Sequence, residues 1–146
     1  MPATPSTPPS STTPSLTSPS ATSLTCLRIG AVLLAALTVV QPVLWLLAET
    51  GTADLMGAHR IVGQASLLVA VFAAVSAVLW ARAGGNRGLM FHAIGMAVLA
   101  LAQVALGEVG VRTVHMTLGV LILAGSVALA TLAYRKPVAV VETTTA

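Results

Sequence analysis

Residues 111–130 read VRTVHMTLGVLILAGSVALA, an apolar run with His115 one turn inside its start and Gly119 four residues further on. A helix needs about 20 such residues to cross the ~30 Å hydrocarbon core of a bilayer. The same figure occurs at residues 59–63, HRIVG, which open a second apolar run. Two more runs complete the set, giving spans of roughly 27–48, 59–81, 89–106 and 113–134. Lipid offers no partner for a bare backbone, so only helices and closed barrels cross it, and continuous apolarity without two-residue alternation selects helices. The breaks between runs are short and carry Gly51, Gly57, Gly84, Gly85, Gly107 and Gly110. Short connections make consecutive helices antiparallel neighbours. The expected fold is all-α: an integral membrane up-down four-helix bundle over residues 26–136.

Composition leads to the same class. The chain is 56% hydrophobic and 8% charged, against about 25% charged in soluble domains. Its formal charge of +3 comes from seven basic and four acidic residues. They form no basic run and no aromatic platform, so nucleic acid is not an expected partner. Cys26 is the single cysteine, which excludes a disulfide framework and a thiolate metal cluster. Residues 1–25 are rich in Pro, Ser and Thr and carry no charged side chain. Such a segment buries too little apolar surface to offset its ordering entropy, so a disordered tail is expected there. It lacks the positive start of a signal peptide. Residues 137–146 form a short C-terminal tail. Arg28, Arg82, Arg87, Arg135 and Lys136 fall on one side of the spans, and Arg60 and Arg112 on the other. The excess of Lys and Arg marks the cytoplasmic face. Both termini are therefore expected in the cytoplasm, with the chain in the plasma membrane and His59 and His115 near the outer face.

The second half of the run weakly repeats the first. Setting His59 on His115 also sets Gly63 on Gly119, and residues 41–44 (QPVL) resemble residues 103–106 (QVAL). Sites in repeated membrane folds tend to lie at the repeat interface, which would bring the two histidines face to face. Two imidazoles without carboxylate or thiolate partners do not make a structural zinc site, which takes four ligands. They do suit a heme iron ligated on both faces, so the expected cofactor is heme b, held between the second and fourth helices. Arg60 and Arg112 stand where propionates need positive partners. Gly63 and Gly119 leave room beside the ligands. On the second helix His59, Gly63, Ser66, Ala70, Ala73 and Ala77 share one face, a small-residue stripe suited to close helix packing. His92 has no matching histidine at its depth and reads as a hydrogen-bonded interior or interfacial residue. Gln41 and Gln103 read as interhelical hydrogen-bonding residues.

These residues carry a resemblance. HRIVG at 59–63, QVALG at 103–107 and His115 opening the last helix resemble one four-helix half of the heme A synthase family. The chain also looks like small four-span membrane proteins of GC-rich bacteria. The first resemblance implies paired histidine ligands on the even helices, here His59 and His115. It covers about residues 27–135 and includes departures. Only one half is present, Met56 stands where the family has a glutamate three residues before the first histidine, and the outer-loop cysteine pair is missing.

The functional expectation is a small b-type membrane cytochrome that transfers electrons, as a homodimer or within a larger complex. The alternative is a cofactor-free accessory or assembly subunit. A heme-modifying enzyme would need an open iron face and a nearby acid, so an enzyme is the less favoured class. The spans carry no mid-membrane Asp, Glu, Lys or Arg to couple ions, and the chain has no phosphate-binding loop or metalloprotease motif.

Overall fold

Leu24, Leu27, Ala31 and Leu34 recur at steps of three and four, the spacing that lines one face of a helix, and all four are buried. In the computed structural model, which describes residues 19–51 and 55–136, they lie on the first of four helices. These are α1 (Pro19–Glu49), α2 (Leu55–Arg82), α3 (Arg87–Glu108) and α4 (Arg112–Tyr134).

The start of α1 corrects one expectation. Residues 19–25, assigned from composition to a disordered tail, are helical, and Leu24 is 1% exposed. The apolar face of α1 runs back into the Ser/Thr-rich segment, and packing at Leu24 outweighs composition. Pro19 suits the first helical turn, where its missing N–H has no helical acceptor. The rest of that expectation, residues 1–18, and the tail at 137–146 lie outside the described residues.

Each helix packs on its neighbours in sequence, and α4 closes the ring on α1. Among the described residues no Cα of α2 comes within 8 Å of α4, and none of α1 within 8 Å of α3. The even helices are therefore diagonal partners, and only side chains can meet between them.

One end of the bundle is a packed core. Ala70, Ala73, Ala77 and Trp80 of α2 meet Leu24, Leu27 and Ala31 of α1, Leu89 and Ala93 of α3, and Leu129 and Ala133 of α4. Small residues let the backbones approach closely. Ser66, Ala70, Ala73 and Ala77 of the α2 stripe are all buried there. Thr38 and Ser126 join α1 to α4 through their hydroxyls at 2.8 Å. Arg28 donates to the carbonyls of Ala133 and Lys136 at 3.2 and 2.6 Å. It thereby satisfies acceptors that the end of α4 leaves open, and its guanidinium lies 5.4 Å from the Tyr134 ring centre.

The outward faces are as apolar as the core. Leu68 is 71% exposed, Ile61 67% and Phe91 64%. Such surface is a liability in water and suits lipid. All four helices are long and apolar enough to cross a membrane, as expected of a membrane helix bundle.

Gly30 shows how close α1 and α2 lie. A Cβ built there would stand 3.0 Å from Phe72 Cδ1 and 3.1 Å from Ala73 Cβ. Gly30→Leu is expected to force the two helices apart and cost about 1–3 kcal/mol, as overpacked cores do. Unfolding of the detergent-solubilised variant in increasing sodium dodecyl sulfate measures it, and a midpoint equal to wild type would contradict this packing.

Candidate functional site

The opposite end of the bundle is open. His59 stands in the first turns of α2 and His115 in the first turn of α4. Their rings reach across the diagonal, with centres 6.2 Å apart and planes at 60°. Each ring is held the same way. His59 Nδ1 lies 3.2 Å from the Gln41 carbonyl oxygen on α1, and His115 Nδ1 lies 3.0 Å from the Gln103 carbonyl oxygen on α3. A carbonyl only accepts, so Nδ1 carries the proton in both rings, and in the neutral imidazole Nε2 then keeps its lone pair. This assignment follows from the hydrogen bonds. It is the arrangement in which a metal-ligating histidine is oriented by a second partner.

The separation is informative. Metal–imidazole bonds of about 2.0–2.1 Å, plus half a ring on each side, place the centres of two axial imidazoles on the order of 6 Å apart. The observed separation of 6.2 Å is of that order. Among the described residues no group of three or more His, Cys, Asp or Glu is arranged to hold a metal ion. Two ligands alone suit a metal whose other positions are already filled, as a porphyrin fills them.

Around the rings lies a cavity of about 520 Å³, lined by His59, His115, Gly63, Gly119, Arg60 and Arg112 among others. It falls within the range of small-molecule and cofactor sites, about 300–1,000 Å³. Every residue assigned to the site from sequence borders this one space. Gln41 and Gln103 border it too, and here the glycines explain themselves. A Cβ on Gly63 would come 2.9 Å from Gln41 Nε2, and one on Gly119 would come 3.0 Å from Gln103 Nε2. Each glycine gives its glutamine amide a place to lie against the neighbouring helix.

The glutamines depart from expectation in one respect. Their backbone carbonyls make the interhelical bonds, whereas Gln41 Oε1 and Gln103 Oε1 are buried without a hydrogen-bond partner among the described residues. Both halves of the site share this defect.

The mouth is charged. Arg60 pairs with Glu108 at 3.3 Å and Arg112 with Glu49 at 3.2 Å. Arg112 also lies 5.3 Å from the Trp45 ring centre. Glu49, Glu108, Trp45 and Met116 border the cavity and were not assigned to the site from sequence; Met56, noted there as a departure from the resembled family, borders it as well. The signal for the glutamates was their position on the arginine-poor side of the spans. His92 lies elsewhere. Its Nε2 is 3.0 Å from the Gly125 carbonyl oxygen, which matches the interior role expected of it.

No protein family, characterised protein or solved structure matches this chain.

The orphaned amide oxygens generate a test. An unpaired buried acceptor costs about 1–3 kcal/mol, and an apolar replacement of similar shape is neutral or stabilising. Gln103→Leu keeps the backbone carbonyl that holds His115. It is expected to leave stability unchanged or raise it by about 1 kcal/mol, read from thermal unfolding of the ligand-free protein in detergent. A marked loss would mean that the amide has a partner.

Proposed function

We propose that this chain is a small b-type membrane cytochrome, an up-down four-span bundle with both termini cytoplasmic, that binds one heme between α2 and α4 and transfers electrons. The observation that carries the reading is the matched histidine pair, 6.2 Å apart with both Nδ1 atoms engaged by backbone carbonyls. In support stand the cavity around that pair and the division of basic residues between the two sides of the spans.

A bound heme would supply a one-electron couple. Within this reading His59 and His115 would both hold the iron through Nε2, which favours electron transfer over heme modification. The carbonyls of Gln41 and Gln103 fix the tautomer and orientation of the rings. The apolar walls exclude water, a condition that tunes redox potential. Arg60 and Arg112 supply positive charge at the mouth. The accessory-subunit reading draws on a different fact: both arginines already have carboxylate partners, so the mouth is balanced with nothing bound.

The deciding measurement is a reduced-minus-oxidised optical spectrum of protein purified from cells supplied with heme. A b-type difference spectrum is expected, with heme content falling at least about tenfold in His59→Ala and in His115→Ala. Colourless wild-type protein would leave the accessory-subunit reading. Orientation is tested separately. A reporter active only outside the cytoplasm should be active when inserted at Gly110, and silent when fused after Ala146. The reverse pattern would overturn the proposed topology.

A further inference from the structure

We infer that Glu49 and Glu108 set the ligand specificity of the cavity mouth: they hold Arg112 and Arg60 in a charge-neutral rim, and a ligand with two carboxylates binds by taking both arginines from them. The inference rests on the heme reading and adds to it two residues and a mode of recognition.

The four rim groups are arranged as a double clasp. Arg60 of α2 reaches Glu108 of α3, and Arg112 of α4 reaches Glu49 of α1. Each pair therefore bridges one of the two seams where the α1–α2 half of the bundle meets the α3–α4 half. All four side chains border the cavity that holds the histidines. Two arginines against two glutamates leave the rim with no net charge.

Exposure decides how firmly the clasp holds. The side chains are 64% and 52% exposed in the Arg60–Glu108 pair, and 62% and 41% exposed in the Arg112–Glu49 pair. Ion pairs this wet are weak and screened by salt. A bound carboxylate held rigidly by the rest of a ligand can displace a flexible glutamate from its arginine, since a guanidinium receives either in the same forked geometry. The two sides are unequal. Trp45 backs Arg112 at 5.3 Å, and no such ring lies under Arg60 among the described residues. Arg60 in turn holds Glu108 at two points, Nε to Oε1 and Nη2 to Oε2, both at 3.3 Å, whereas Arg112 reaches Glu49 at one.

The glutamates then act as competitors. A macrocycle with two propionates brings two negative charges to a neutral rim, and each arginine it captures leaves a glutamate unpaired nearby. The sign of the effect is unusual for a salt-bridge partner, because removing the glutamates tightens binding.

Ferric protoporphyrin IX and its dimethyl ester, whose acids are capped, are titrated into the full-length protein in detergent at low ionic strength, with binding read from the Soret band. Glu49→Gln with Glu108→Gln is expected to bind the diacid roughly tenfold more tightly than wild type, and Arg60→Gln with Arg112→Gln roughly tenfold more weakly. Affinity for the diester should stay the same in all three proteins, and added salt should erase the gain of the glutamate variant. Unchanged or weaker diacid binding by the glutamate variant overturns the inference. So does a parallel change for diacid and diester, which would place the effect in the fold. If wild type develops a bis-imidazole spectrum with either probe, the heme reading survives that failure. If it does so with neither, both fall.

Discussion

An imidazole in an apolar bundle has one N–H to satisfy and one lone pair to expose, and the open half of this structure is arranged around that requirement. His59 and His115 both give their Nδ1 proton to a glutamine carbonyl on the neighbouring helix. Those carbonyls already belong to helical backbones, so they use a second lone pair and cost the helices nothing. With those protons committed, the neutral rings keep a lone pair on Nε2, and both rings line the cavity. Ring position, tautomer and the diagonal meeting of α2 and α4 all follow from these two bonds.

The bundle accommodates such a pair because its two ends use small residues differently. At the packed end, Ala70, Ala73 and Ala77 bring α1 and α2 into contact, with Gly30 against Phe72 and Ala73. At the open end the small residues sit under side chains instead. Gly63 and Gly119 receive the glutamine amides, and a Cβ at Gly107 would stand 3.2 Å from the His115 ring. The same residue types thus close one half and seat polar side chains in the other, in a ring where only side chains meet across the diagonal.

Much of this was legible in the residues themselves. Four apolar runs gave four helices because continuous hydropathy leaves a chain few alternatives. The recurrence of histidine and glycine four residues apart located both walls of the cavity. What escaped had non-local causes. Leu24 joins the core although its neighbours in sequence are Ser and Thr, because its partners lie on other helices. The rim pairs join residues 48 and 63 positions apart, and no spacing rule reaches that far. The unpartnered amide oxygens of Gln41 and Gln103 depend on side-chain directions that residue type does not encode.

The two halves of the chain are alike both at the cavity and at several packing positions. Gln41 matches Gln103, His59 matches His115 and Gly63 matches Gly119, and all six border the cavity. The positions matching Thr38, Trp45 and Ser66 carry Ala100, Gly107 and Ile122, which border it as well. Apolar and small packing positions recur too, among them Leu27 with Leu89, Ala31 with Ala93 and Ala77 with Ala133. At the cavity, the recurrence falls on a polar pair that apolar packing does not need and on the glycines that seat it. A bundle gains nothing in stability from two buried amide oxygens without partners. Their recurrence in both halves, each beside an imidazole held by the same glutamine's carbonyl, makes histidine, glutamine and glycine one repeated unit of this bundle.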